Sequence, residues 1–244
     1  MRSCVIIPAR YKSSRLPGKP LIHLLGKPMI IWVAEIASEA VGNSNVFIAT
    51  DDNRIANIVS RNGYNYIMTS SSALTGTDRV AEASLSLNYD IFINVQGDEP
   101  LVSPKDILRC IEYKIENQNH IINSYHPIDD NQDPSSINIP KVVINNSEDL
   151  IYISRSLVPG FKDLSSKTDS YLKQVCIYGY NKKELLAFFE FGGKSKVEES
   201  EDIEILRFFE LNHPVKMFKS QHNSLSVDIL KDIEEVEREL TLRN

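Results

Sequence analysis

The chain has 244 residues, a net charge of −6, and 42% hydrophobic and 25% charged residues. These are the proportions of a single globular domain with room for a small appended lobe. No apolar run approaches the roughly 18 residues of a membrane span, and the acidic balance argues against general nucleic-acid binding.

Strand and helix signals alternate from the start. Arg2–Ile7 is an apolar, β-branched run that stops at Pro8. It reads as a first strand and is too short for a signal h-region, so a cytoplasmic protein is expected. A polar loop follows, carrying Arg10, Lys12, Arg15 and Lys19 among Pro17, Gly18 and Pro20. Met29–Ala40 has helical spacing. Asn45–Thr50 is a second strand. Asp52–Asn62 is a helix capped by Asp51 or Asp52 and ended by Gly63. Tyr64–Met68 is a third strand, Arg79–Leu87 a helix capped by Thr77 or Asp78, and Asp90–Val95 a buried fourth strand. Pro104–Asn117 is a helix with proline in its first turn. Such alternation predicts a Rossmann-like α/β fold with a mostly parallel sheet.

The pattern changes after about residue 120. Ile121–His126, Lys141–Asn145 and Leu150–Ser154 read as strands without intervening helices, separated by the polar loop Asp129–Ile139. A second polar loop, Val158–Ser170, precedes strand Lys173–Tyr180 and helix Lys183–Phe191. We expect one domain over 1–244 with an antiparallel insertion lobe at about 120–182. Helix Glu201–Leu211, strand Val215–Ser220 and helix Ile229–Leu240 complete the chain.

Two segments carry chemistry. The first is the cationic loop, because a buried strand that feeds such a loop is where open α/β sheets bind ligands. Arginine offers a planar fork for phosphate oxygens and lysine a point charge. The second is Asn94-Val95-Gln96-Gly97-Asp98-Glu99-Pro100. It brings Asp98 to the sheet's C-terminal edge, where Gly97 would let the chain turn. Mg²⁺ is usually held by one or two carboxylates plus substrate phosphates, and Asp98 suits that task. Glu99 reads as a supporting or solvated charge. Asp228 follows a short strand and is placed either to ligate the metal or to cap the last helix. Gln96 can bond a sugar hydroxyl or carboxylate, or satisfy backbone groups. The three cysteines, Cys4, Cys110 and Cys176, have no metal spacing, and the five histidines form no spaced pair. Glycine-rich phosphate-loop and dinucleotide fingerprints are absent.

The blocks Ile7-Pro8-Ala9-Arg10-Tyr11, Ser13-Ser14-Arg15-Leu16-Pro17-Gly18-Lys19-Pro20-Leu21 and Gly26-Lys27-Pro28-Met29 resemble the start of the CMP-Kdo synthetases, the cytidylyltransferases of 3-deoxy-manno-octulosonate (Kdo). The resemblance continues through Ala49-Thr50-Asp51-Asp52, Gly76-Thr77-Asp78-Arg79 and Gln96-Gly97-Asp98-Glu99-Pro100. It is looser at Ser154-Arg155, Ile177-Tyr178-Gly179-Tyr180, Glu204 to Arg207 and Val227-Asp228. It implies a Mg²⁺-dependent transfer of CMP from CTP to a 2-keto-3-deoxy sugar acid, for lipopolysaccharide or capsule synthesis, by a homodimer.

On that resemblance Arg10, Lys19 and Asp98 would be catalytic. Ala9, Arg10, Ser14, Arg15, Lys19, Asp78, Arg79 and Gln96 would bind nucleotide. Gln96, Arg155, Gln174, Tyr178 and Glu204 would bind the acceptor, and Asp98 and Asp228 the metal. Two departures fall on the sugar side: Gln174 stands where the family commonly has histidine, and Ile205 where it has glutamine. A different ulosonic acid, a small phosphonate, or a catalytically inactive nucleotide-binding homologue are the alternative readings.

Overall fold

The computed structural model describes every residue except Ser14, Arg15, Asn131, Asp169, Asp228 and Asn244, and of Arg243 the backbone alone. The strands are β1 (Ser3–Ala9), β2 (His23–Leu24), β3 (Lys27–Pro28), β4 (Val46–Thr50), β5 (Asn65–Met68), β6 (Ile91–Val95), β7 (Ile121–Pro127), β8 (Lys141–Ile144), β9 (Leu150–Ser154), β10 (Leu172–Asn181) and β11 (Val215–Lys219). The helices are α1 (Met29–Val41), α2 (Asn53–Arg61), α3 (Gly76–Ser84), α4 (Pro104–Glu116), α5 (Lys182–Glu190), α6 (Lys196–Glu201), α7 (Leu206–Glu210) and α8 (Leu230–Arg243).

The central sheet has the order β11-β7-β10-β6-β1-β4-β5. β6, β1, β4 and β5 pair in parallel, as do β11 and β7. β10 runs antiparallel to both its neighbours, β6 and β7. The antiparallel part is therefore smaller than the sequence suggests. Ile121–Pro127 belongs to the central sheet, and only the β8–β9 hairpin lies off its path. β1 sits between β4 and β6, so the chain order reverses there. Such a switch point leaves a crevice at the carboxyl ends of the strands.

Strand alternation builds two cores. Cys4, Ile6, Phe92 and Tyr180 face α3, α5 and α7 on one side. Val5, Ile7, Ile93 and Val95 face α1, α2 and α4 on the other. Burying one such aliphatic side chain stabilises by about 1.5–3 kcal/mol. A third cluster gathers Leu16, Leu24, Met29, Leu101, Val227, Val236 and Leu240. It ties α8 to the loops that carry the candidate site.

Three local expectations change. β1 does not stop at Pro8 but pairs with β4 through Ala9. Pairing with β6 has already ended at Ile6 and Asn94, and the Pro8 carbonyl faces Gly97 on that side. A missing N–H there breaks no ladder bond. Helix α3 begins three residues early because Thr75, rather than Thr77 or Asp78, caps it; Asp78 completes the capping box from the first turn. The helix expected over Glu201–Leu211 does not form as one: α6 ends at Glu201 and α7 begins only at Leu206. Asp202 between them adopts a left-handed conformation at φ 49°, and Ile203 and Ile205 are both buried, an alternation no helix face supplies. Of the two caps expected for α2, it is Asp52 that serves, accepting from the Arg54 N–H at 2.9 Å.

Candidate active site

Two cavities open side by side at the carboxyl ends of β1 and β6. The first, of about 610 Å³, is lined by Ala9, Arg10, Ser13, Lys19, Gly76 and Arg79 among others. The second, of about 450 Å³, is lined by Lys173, Gln174, Cys176, Tyr178, Ser224 and Asp232 among others. Gln96, Asp98, Asn138, Arg155, Asp202 and Glu204 line both. The two are thus chambers of one cleft with a shared polar wall, the arrangement that brings two substrates to one reacting centre.

The shared wall is set by close backbone approach. A Cβ on Gly97 would lie 2.9 Å from the Pro8 carbonyl oxygen and 3.2 Å from Ile30 Cδ1. Glycine is required there to let β1 and the Asp98 turn touch, rather than to supply the turn expected from the sequence. A Cβ on Gly76 would lie 2.9 Å from both Gln96 Nε2 and Oε1. The start of α3 therefore packs directly on Gln96.

Lys19 Nζ lies 2.5 Å from Asp98 Oδ2. Both side chains are mostly shielded, at 15% and 25% exposure, so the pair is stronger than a surface one. Arg10 is exposed at the mouth of the first chamber. Arg79 is buried, its Nη1 donating to Thr69 Oγ1 at 2.5 Å. Burial holds its guanidinium below the ordinary value, against the pull of Asp51.

Asp78 differs from its expected role. Its carboxylate accepts from the Thr75 N–H at 3.0 Å and from Arg207 Nη1 at 2.6 Å, and it lines neither chamber. Arg207 is fully buried and also bonds Glu198 through Nε and Nη2, both at 2.7 Å. Asp78 therefore anchors α3 to α6 and α7.

Glu204 holds the same helix from the cleft side. Its oxygens accept from the Gly76 N–H at 2.9 Å and the Thr77 N–H at 2.7 Å, where the helix dipole favours an anion. Burial nevertheless pushes its carboxyl above the usual range, outweighing these two donors. Tyr178 is buried, and burial raises its phenol far above its ordinary value, so it stays protonated. Gln174 Nε2 donates to Asn123 Oδ1 at 3.0 Å.

Arg155 lies in the shared wall, but its guanidinium is partly engaged. Nε donates to the Glu201 carbonyl at 2.6 Å, Nη1 to that of Ile137 at 2.9 Å and Nη2 to that of Asp202 at 3.0 Å. Three of its five N–H groups thus hold the wall together. Ser154 Oγ, the other half of the Ser-Arg pair, donates to Glu201 Oε1 at 2.6 Å.

Ser14, Arg15 and Asp228 lie outside the described residues. The residue before Asp228 is fixed: the Val227 N–H donates to the Asp98 carbonyl at 3.0 Å. Among the described residues no group of three or more His, Cys, Asp or Glu side chains forms a metal cage. A hard cation bound mainly by substrate phosphates needs none, and Asp98, at the junction of the chambers, fits that donor set. Residues not anticipated from the sequence are Lys173, Asn138, Asp202 and Cys176 in the walls. Only Lys173 left a signal, as a lysine in register with the inward positions Val175 and Ile177.

Residues 4–223 match the family described as cytidylyltransferase. The chain is 37% identical over 242 residues to the 3-deoxy-manno-octulosonate cytidylyltransferase of Lawsonia intracellularis, covering 98% of this chain and 94% of that one. This chain belongs to the CMP-Kdo synthetase family. The cytidylyltransferase is also 39% identical over 253 residues to the 8-amino-3,8-dideoxy-manno-octulosonate cytidylyltransferase of a Shewanella species, covering 98% and 99% of the two chains. Its fold superposes with a TM-score of 0.91 and 33% identity, over the whole of both chains, on a CMP:2-keto-3-deoxy-manno-octonic acid synthetase complexed with CTP. The inositol-1-phosphate CTP transferase of T. maritima, at 17% identity and a TM-score of 0.70, shares the fold. No described helix of the cytidylyltransferase is long and apolar enough to cross a membrane.

Proposed function

We propose that this enzyme activates Kdo or a close analogue with CTP, releasing pyrophosphate and the CMP-sugar for lipopolysaccharide or capsule synthesis. The observation that carries this reading is the pair of chambers meeting at Gln96 and Asp98. The cationic chamber suits a triphosphate, and the second is sized and lined for a polar sugar acid. A homodimer is part of the reading, in which β9 presents Ile151 and Tyr152 outward.

The anomeric hydroxyl of the acceptor forms the new bond to the α-phosphorus and gives up its proton to solvent. The bond from that phosphorus to the bridging oxygen breaks, and pyrophosphate leaves with the electron pair. Phosphoryl-type transfer needs positioning and charge neutralisation more than covalent help. Arg10 and Lys19, with Arg15, hold the triphosphate and stabilise the departing pyrophosphate. Ala9 and Arg79 complete the nucleotide chamber, Ser14 would bind the nucleotide with them, and Asp78 acts on the chamber by fixing α3. Asp98 and Asp228 would hold Mg²⁺, which would neutralise phosphate charge and acidify the attacking hydroxyl. Gln96, Arg155, Gln174, Tyr178 and Glu204 orient the acceptor.

A second reading concerns the acceptor. The sugar chamber is lined by Asp98, Glu99, Asp202, Glu204, Asp232 and Glu235, against Arg155 and Lys173 as its cations. That excess of carboxylates favours an acceptor that also bears an ammonium group, such as the 8-amino acid of the Shewanella relative. Pyrophosphate release with CTP over a panel of Kdo, 8-amino-3,8-dideoxy Kdo and other ulosonic acids tests both readings. The acid with the highest kcat/KM is the substrate, and no turnover with any of them refutes the proposed function.

A further inference from the structure

Among the described residues Lys114, Lys141 and Lys173 are the buried lysines. A buried charge is expensive unless it is paired or well bonded, so the partners of each are informative. Lys114 Nζ lies 2.7 and 2.8 Å from the two Glu184 oxygens and donates to the carbonyls of Gln118 and His120. Lys141 Nζ donates to the carbonyls of Ser136 at 2.8 Å and Arg155 at 2.5 Å. Lys173 Nζ donates to Gln132 Oε1 alone, at 2.8 Å, and no ion pair involves it among the described residues.

Lys173 is 6% exposed, yet it lines the sugar chamber. An ammonium has three N–H donors, of which one is engaged. Burial lowers its proton affinity, while Asp129, Glu99 and Glu235 at longer range favour the cation. The result is a desolvated cation in a chamber wall with bonding capacity left over, which is what an anion site requires. Arg155, the other cation of that chamber, already holds three backbone carbonyls.

We infer that Lys173 binds the carboxylate of the sugar-acid acceptor and is the residue that makes the second chamber select an acid. This rests on the proposed function, and it assigns Lys173 a role in acceptor binding rather than in the nucleotide step.

The test compares Lys173→Met and Lys173→Gln with the unaltered enzyme, using Kdo, its methyl ester and the 8-amino acid as acceptors. The unaltered enzyme should prefer the acid to the ester. Both variants should raise the acceptor KM by about tenfold to a hundredfold, the range of one charge-assisted hydrogen bond, and lose the acid-over-ester preference. The CTP KM and the thermal midpoint should stay near those of the unaltered enzyme, and Lys173→Arg should restore most of the preference. An unchanged acceptor KM, or a retained preference for the acid in a folded variant, overturns the inference alone. So does a parallel rise in the CTP KM, which would place Lys173 in general scaffolding. An unaltered enzyme that turns over no ulosonic acid refutes the proposed function itself, and this inference with it.

Discussion

Lys19 and Asp98 form an ion pair of 2.5 Å across the crevice between β1 and β6. The pair joins the cationic loop to the carboxylate at the junction of the two chambers. Each therefore neutralises the other. Binding a triphosphate with its cation would exchange this pair for two new ones, Lys19 with phosphate and Asp98 with metal.

Lys19→Met should lower turnover with CTP by roughly 10²-fold or more, the usual effect of removing one preorganised charge. Steady-state kinetics with pyrophosphate detection measures it, and circular dichroism checks the fold. Near-normal turnover would remove Lys19 from the triphosphate site.

Asp98→Asn should abolish turnover, because an amide lacks the charge and ligates Mg²⁺ poorly. Excess chelator should do the same to the unaltered enzyme, and added Mg²⁺ should reverse it. Full activity in chelator would falsify the metal requirement.

Gly97→Ala should destabilise the protein by about 1–3 kcal/mol, as overpacking does. The added methyl would stand 2.9 Å from the Pro8 carbonyl oxygen, and neither backbone can yield cheaply. Urea denaturation measures the loss. A variant as stable as the parent would show that the β1 and β6 ends separate freely.

Arg207→Met should cost about 3–5 kcal/mol, because it leaves the buried Glu198 carboxylate and Asp78 without their cation. The CTP KM should rise as well, since α3 lines the nucleotide chamber. Thermal unfolding and CTP titration read the two effects separately, and a rise in KM without any loss of stability would contradict the anchoring role.

Glu204 gives stability a pH dependence of unusual sign. Its folded carboxyl is raised by burial, so in the window just above the ordinary glutamate value the folded state holds more protons than the unfolded one. Stability contributed by this group should then fall as pH rises through that window and level off above the raised value. Denaturation of the parent and of Glu204→Gln across mildly acidic pH should differ in slope in that direction. Equal slopes would place Glu204 in a solvated setting.

The strand runs, the cationic loop and the Asn94–Pro100 turn were legible in the sequence because each is local. A buried strand, a helix stripe and a proline-rich loop announce themselves within about ten residues. The sequence on its own thus determined a mostly parallel α/β fold, the family, and a cationic loop and an Asp98 turn at the carboxyl edge of the sheet. Tertiary structure alone decided which side chains act on the cleft and which hold it together. Glu204 meets the amides of Gly76 and Thr77 across more than a hundred residues, and Arg207 meets Asp78 over a similar span. The two carboxylates look alike in their local sequence, yet one lines both chambers and the other lines neither. Lys173 shows in the sequence only as a lysine in register with Val175 and Ile177, and its place in the chamber wall is set when β10 inserts between β6 and β7. Sheet order sets these neighbours, and sheet order depends on burying both faces at once, an energy that no short stretch of residues contains.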